Sequence, residues 1–251
     1  MDSSRPWALV TGAKGGIGRA LVQCFSVNGY NVLATDIVEE DSFDSASVVF
    51  LQLDLNEFVT SESYASEVVS NVNRLTEGQG IVSLINNAAT QVLGRCEEIS
   101  RNDWANSFNV NVTAPFFLIQ SFLPQLISNK GAVVNISSIH ATQTKAGFVT
   151  YATTKSALSS LTRNLAVDLA DKVRINAIEP AAISTKMLQA GFEGKEEQYR
   201  LLESFHPLAR IGTPEEVAEI ALFLCAEKSS FIHGACISAT GGIQGCLSDP
   251  K

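Results

Sequence analysis

Ser138, Tyr151 and Lys155 are residue types that can hold an oxygen and move a proton, and their spacing gives them a common place. Val133, Val134, Asn135, Ile136 and Ser137 read as the end of a buried strand, which puts Ser138 at its carboxyl end. Tyr151 and Lys155 are four apart in the run 149–170, which has no glycine or proline and repeats Leu158, Leu161, Leu165 and Leu169 at steps of three and four. The run is predicted helical, so phenol and ammonium share a face. A phenol of ordinary pKa about 10 exchanges protons poorly near neutrality, and a neighbouring ammonium favours its phenolate. The tyrosine then serves as acid or base while the serine hydroxyl steadies a carbonyl or alcohol oxygen. On its own, a tyrosine and a lysine at this spacing also describe any buried ring beside a surface ammonium. The elements around them have to decide.

The chain opens with a short apolar strand, Trp7 to Val10, running into Thr11, Gly12, Ala13, Lys14, Gly15, Gly16, Ile17 and Gly18. A helix follows, with Ile17, Ala20, Leu21, Cys24 and Phe25 on its inner face and Gly29 as its stop. A glycine-rich turn between strand and helix lets backbone approach a pyrophosphate at the positive helix end. A second strand, Asn31 to Thr35, ends at Asp36, an acid placed to bond a ribose 2′-hydroxyl and repel a 2′-phosphate. That favours NAD over NADP. Further strands are expected at Val48–Leu53, ending in Asp54, at Ile81–Ile85, leading into Asn86, Asn87, Ala88 and Ala89, at Arg174–Ile178 and at Ala235–Ala239. Helices are expected at Thr60–Leu75, from a Ser100–Asp103 capping box through Trp104, Phe108 and Val112 with a Pro115 kink, and from Thr213 to about Ala226. Residues 37–47 read as loop, and 185–210, with Met187, Leu188, Phe192, Leu201 and Phe205, as a substrate lid of short helices. Strands alternating with helices predict one α/β domain, a three-layer doubly wound parallel sheet of about seven strands, with ligands at the strands' carboxyl ends.

On these residues the chain resembles the short-chain dehydrogenase/reductase family over nearly its whole length, a Rossmann-fold group. Its TGxxxGxG turn is matched by Thr11, Gly12, Gly16 and Gly18, its NNAG segment by Asn86, Asn87, Ala88 and Ala89, and its PG motif by Pro180 and Ala181, alanine twice replacing glycine. The resemblance implies a catalytic set of Asn111, Ser138, Tyr151 and Lys155, with Asn111 anchoring a water that leads protons out. It implies a cofactor set of Gly12, Lys14, Gly16, Ile17, Gly18, Asp36, Asp54, Leu55, Asn87, Ala88, Tyr151, Lys155, Pro180, Ile183 and Thr185, with Asp54 on the adenine side and Thr185 at the nicotinamide carboxamide. The implied reaction is reversible hydride transfer between an alcohol and NAD, with NADP the lesser candidate. Ser138, His140, Gln143 and Tyr151 are the substrate candidates, and Glu179, Lys186 and His206 are further polar ones. A small polar alcohol or ketone, polyol or sugar-like, is expected. An NADPH-dependent biosynthetic ketoreductase and a non-catalytic dinucleotide sensor are the competing readings; retention of all four catalytic types counts against the sensor.

Composition narrows the partners. The 251 residues are 45% hydrophobic and carry a formal charge of -8, with no cluster of Lys or Arg, which argues against nucleic acid and anionic membrane. Five cysteines, Cys24, Cys96, Cys225, Cys236 and Cys246, lack metal spacing, and their odd number fits reduced thiols in the cytoplasm. No basic-then-apolar leader opens the chain, and no apolar run near 20 residues is read from it. Small residues Ala152, Ser156, Ala157, Ser159 and Ser160 permit close helix packing, and the family resemblance suggests a homotetramer or homodimer.

Overall fold

The structure, a computed structural model, describes residues 2, 4–38, 43 and 45–247. Seven parallel strands form one sheet: β1 (Trp7–Thr11), β2 (Asn31–Asp36), β3 (Val48–Gln52), β4 (Ile81–Asn86), β5 (Ala132–Ile136), β6 (Arg174–Pro180) and β7 (Cys236–Ala239). Their order is β3-β2-β1-β4-β5-β6-β7. The order reverses between β1 and β4, and in such sheets a crevice opens there beyond the carboxyl ends.

Alternation along each strand feeds two cores. Trp7 and Leu9 face one layer with Phe58, Val72, Phe122 and Leu165, whereas Ala8 and Val10 face the other with Leu21, Phe25, Val217 and Leu224. Helices α1 (Gly16–Val27) and α9 (Pro214–Cys225) cover the second face; α3 (Glu62–Leu75), α5 (Ala114–Ser128) and α6 (Val149–Leu169) cover the first. Phe25 and Phe122 are fully buried, each worth about 1.5–3 kcal/mol over exposure.

Local rules explain the helix ends. Gly29 follows α1 at φ +88°, a left-handed stop that suits glycine. Thr213 and Glu216 complete the capping box of α9, with Thr213 N donating to Glu216 Oε2 at 2.8 Å and Glu216 N to Thr213 Oγ1 at 3.3 Å. Arg210 clamps the same carboxylate through two bonds of 2.9 and 2.6 Å and, with the Thr213 N–H, holds Glu216 down to about 2.

Three elements differ from expectation. Residues 55–75 hold two helices, because Asp54 accepts from Asn56 N and Glu57 N and opens α2 (Leu55–Thr60), and the extended Ser61 then ends α2 and caps α3. Where a proline kink was expected, α4 (Arg101–Phe108) widens into a π-helical turn, Asn109–Thr113, before α5. Pro115 offers no N–H to the carbonyl four residues back, that of Asn111, and a wider turn accommodates the loss. Ser100 Oγ does accept from Asp103 N at 3.0 Å, but the Asp103 carboxylate bonds the Ser100 hydroxyl at 2.6 Å. The continuous run Arg101–Ser128 is also long and apolar enough, by length and composition, to cross a membrane, contrary to the sequence reading. Here Leu118, Ile119, Phe122 and Leu126 are spent on the core.

Candidate active site

The ends of β1 and β4 are tied at the crevice. Thr11 Oγ1 accepts from Asn87 N and Ala88 N, both at 3.0 Å, while Asn87 Nδ2 donates to Thr11 O and Gly12 O at 2.9 and 3.0 Å. The glycine turn then folds tightly on itself. A Cβ on Gly18 would overlap the Gly12 carbonyl oxygen and stand 2.8 Å from Ala13 Cα, and one on Gly12, at φ +64°, would stand 2.7 Å from Ala88 Cα. Gly15 caps α1 with no side chain to bond its first turn, which leaves a positive helix end facing the crevice. Across from it a Cβ on Gly16 would meet Thr185 Cγ2 at 2.7 Å, so the far wall lies directly against the turn. A cradle this close suits a pyrophosphate held by backbone. Gly18→Ala is therefore expected to cost about 1–3 kcal/mol in denaturant unfolding and to weaken dinucleotide binding. Gly15→Ala, at φ -64° with its nearest contact at 3.4 Å, should fold like the parent.

Asp36 ends β2 beside the turn, and its Oδ2 accepts from Lys14 N at 3.0 Å. The Lys14 ammonium lies 5.3 Å from the Phe50 ring centroid. Asp54 spends its Oδ1 on capping α2, with Leu55 buried behind it. On the opposite side Pro180 ends β6, Ile183 bridges to Gly212, and Thr185 Oγ1 caps α7 (Lys186–Gly191) by accepting from Leu188 N at 3.2 Å. Ser184 N to Gly212 O and Gly212 N to Ala182 O, at 2.9 and 3.0 Å, pinch together the base of the excursion carrying α7 and α8 (Glu196–Ser204). The Met187 side chain named from the sequence lies outside the described residues.

Beyond β5 the proton-handling groups come together. Tyr151, on the first turn of α6, lies close enough to the Ser138 hydroxyl for that group to pull its pKa down, and the same hydroxyl accepts from His140 N at 3.1 Å. One turn on, the buried Lys155 donates from Nζ to Ile136 O at 2.8 Å and lies 5.6 Å from the Tyr151 ring centroid. Burial dominates both titrations. It raises Tyr151 above its ordinary 10.0, offset in part by the Ser138 hydroxyl, and lowers Lys155 from 10.5 to about 8. The expectation that the ammonium pulls the phenol down is corrected for the ligand-free chain, since neither charge is welcome without solvent and the ammonium turns to a carbonyl. Asn111 lies fully buried in the π turn: its Oδ1 accepts from Thr90 N at 2.8 Å, and its Nδ2 donates to Thr90 O and Thr154 Oγ1, both at 2.9 Å. Thr154 Oγ1 donates on to Tyr151 O at 2.8 Å.

Sequence reading missed the polar ladder behind these groups. Asn135 accepts from Asn86 Nδ2 at 2.8 Å and donates to Thr162 Oγ1 at 2.9 Å. Ser137 Oγ bonds Lys155 O at 3.0 Å and Ser159 Oγ at 2.8 Å, and Ser159 Oγ donates to Glu179 Oε1 at 2.7 Å. The available signal was period: Asn135 and Ser137 alternate in an otherwise apolar strand, and Lys155, Ser159 and Thr162 recur at helical spacing. Glu179 thus lies buried behind α6, away from a substrate. His206 is buried too, with Nδ1 at 2.9 Å from Leu202 O, and Lys186 is exposed on α7. Gln143 donates to Gln244 O at 2.8 Å, tying its loop to the C-terminal turn. His140 stands edge-on to Tyr151 with centroids 5.9 Å apart.

A family model described as enoyl-(acyl carrier protein) reductase matches residues 12–244. The 3-oxoacyl-(acyl-carrier-protein) reductase FabG of Aquifex aeolicus (strain VF5) is 34% identical over 245 residues, covering 94% of this chain and 96% of that protein. This chain belongs to the short-chain dehydrogenase/reductase family. Ligand-free aldohexose dehydrogenase of Thermoplasma acidophilum superposes at a TM-score of 0.89 with 28% identity, covering 100% of this chain and 99% of that one. ElxO with NADP bound superposes at 0.87 with 29% identity, covering 96% and 100%. The chain is an NAD(P)-dependent oxidoreductase of CH–OH or carbonyl groups, as its family is.

Proposed function

We propose that this enzyme transfers hydride between NAD(H) and a small polar alcohol or its carbonyl, with Asn111, Ser138, Tyr151 and Lys155 as the working set. The observation that carries the reading is the approach of the Ser138 hydroxyl to the Tyr151 phenol, one helical turn from the buried Lys155 amine, beside the glycine crevice. The nicotinamide supplies the hydride acceptor or donor. In oxidation Tyr151 Oη takes the hydroxyl proton and in reduction it gives one, while Ser138 Oγ holds the substrate oxygen. Lys155 Nζ would hold the nicotinamide ribose, and Asn111 would anchor a water that carries protons away. Gly12, Gly16, Ile17 and Gly18 hold the pyrophosphate; Asp36, Asp54, Leu55, Asn87 and Ala88 line the adenosine half; Pro180, Ile183 and Thr185 line the nicotinamide half. Residues 185–210 serve as the lid.

Asp36 supports NAD, because a carboxylate at the end of β2 repels a 2′-phosphate. Asp36→Ser is expected to lower the ratio of the NADP to the NAD dissociation constant by about tenfold to a hundredfold, read by fluorescence titration with both reduced cofactors, since like charges in contact cost several kcal/mol. Similarity to aldohexose dehydrogenase supports a sugar-like or polyol substrate. An NADPH-dependent ketoreductase is the second reading, favoured by Lys14 beside Asp36 and by the likeness to FabG and to NADP-bound ElxO. A panel of alcohols and ketones, read as NADH or NADPH formed or lost, separates the two; no turnover with either cofactor refutes both.

Free thiols at all five cysteines fit a cytoplasmic enzyme. Pairing into a homotetramer or homodimer has narrower support in α6 than the sequence suggested. Ala152 and Ser159 face the protomer's own core, leaving Val149, Ser160 and Val167 exposed on that helix. Light scattering should give a mass of two or four chains; a monomer excludes the pairing.

A further inference from the structure

The loop between Ser138 and Tyr151 carries a cation that the proposed mechanism leaves unused. Lys145 is exposed, and its ammonium lies 4.7 Å from the centroid of the Phe148 ring. That ring stacks on His140 with centroids 4.4 Å apart and planes at 15°, and it stands edge-on to Tyr151 at 6.3 Å. The Tyr151 ring and the Lys145 ammonium thus both contact the Phe148 ring, in a wall of three rings. Among the described residues the ion pairs are Arg5 with Asp2 and Arg210 with Glu216, so Lys145 has no acid partner, in a chain where 26 acids outnumber 18 bases. An ammonium without an acid partner, on the ring that stands against Tyr151, is open to an anion brought by the ligand. The second basic group of the wall does not compete. Burial, and then the charge of Lys145, hold the His140 imidazole below its ordinary 6.5, so it stays neutral at physiological pH, with Nδ1 at 3.2 Å from Thr144 Oγ1.

We propose that Lys145 is a substrate-docking residue and that the substrate is a short hydroxy acid, its reacting carbinol at Tyr151 and its carboxylate at the Lys145 ammonium. The inference deepens the oxidoreductase reading and rests on it. A lone, compact ammonium matches a monoanionic carboxylate, whereas a phosphate dianion calls for several donors or a guanidinium fork. The contact lies at the rim, where ion pairs are modest and screened by salt.

The test compares matched probes on the whole enzyme: glycerate and gluconate as acids, glycerol and glucitol as their neutral partners, and glycerol 3-phosphate. The acids should show KM values about three- to tenfold below their neutral partners at low ionic strength, with the gap closing in concentrated salt. Lys145→Met should raise the KM of the acids to that of the polyols and remove the salt effect, and Lys145→Arg should restore most of it. An acid preference that survives Lys145→Met overturns the docking role, as does turnover of neutral probes alone. Tighter use of glycerol 3-phosphate than of either acid overturns the carboxylate assignment. These results leave the oxidoreductase reading standing; that reading fails separately if no alcohol or ketone in a broad panel is turned over with either cofactor.

Discussion

Tyr151→Phe is expected to lower kcat by about 10²- to 10⁴-fold, the usual contribution of a positioned acid or base, while leaving the NADH dissociation constant within about twofold. The substitution removes one oxygen and keeps the ring, so the edge contacts to His140 and Phe148 persist and the fold has little reason to change. A non-catalytic sensor would respond differently, because its output depends on binding, which the phenol oxygen does not carry in this account. The pH profile gives a second handle. Burial raises the phenol above its ordinary 10.0, with the Ser138 hydroxyl pulling the other way, so the ligand-free enzyme holds a protonated tyrosine across the neutral range. Carbonyl reduction needs that proton, and its kcat/KM should stay level until strongly alkaline pH. Alcohol oxidation needs the phenolate, and its kcat/KM should climb with pH. Profiles with matching acid limbs in the two directions would contradict the assignment.

Lys155→Met carries the second largest effect, a loss of about 10²–10³ in kcat/KM, the scale seen when one donor is taken from a preorganised site. The stability of the ligand-free protein should respond with a definite sign. The folded chain holds the Lys155 proton at about 8 against an ordinary 10.5, because the ammonium is buried with a carbonyl as its partner. Between those two values the unfolded chain carries more protons than the folded one, so this group's contribution to stability rises with pH through the window and is lowest below pH 8. The slope is on the order of 1.4 kcal/mol per pH unit. Denaturant midpoints of parent and variant from pH 7 to 10.5 should therefore diverge in the parent's favour as pH rises. A constant difference would mean that Lys155 titrates as an exposed lysine.

These two residues also mark how far sequence reasoning reached. Elements set by short-range signals were legible: the glycine turn after β1, Gly29 after α1, and Thr213 with Glu216 at α9 all use chemistry confined to a few neighbouring residues. The placing of Ser138 with Tyr151 was legible because a strand end and a helix face bring them together. The sign of the Lys155 shift was not, because spacing gives neighbours while burial depends on everything packed above them. Asp54 shows the same limit at the local scale. Its motif position marks an adenine-side acid, yet its carboxylate also opens α2, a helix too short to leave a periodic pattern.

The ladder from Glu179 through Ser159 and Ser137 to the Lys155 carbonyl joins strands and a helix that are distant in the chain. Each of its residues looks unremarkable alone, and only the alternation of Asn135 and Ser137 along and just past β5 hints that polar groups line the underside of α6. The π turn at Asn111 was half legible. Pro115 announces that an N–H is missing, but whether the chain bends or widens depends on Asn111 finding Thr90 and Thr154, which no local rule supplies.

The central claim is that hydride passes directly between a substrate carbon and the nicotinamide while Tyr151 handles the proton. The most direct measurement supplies an alcohol deuterated at its carbinol carbon, together with NAD, and follows the label by mass spectrometry in the parent and in Tyr151→Phe. The account predicts one deuterium per reduced nicotinamide, none exchanged with solvent, and in Tyr151→Phe the same transfer slowed by at least about a hundredfold. Reduced cofactor without label, or equal rates in the two proteins, would contradict it.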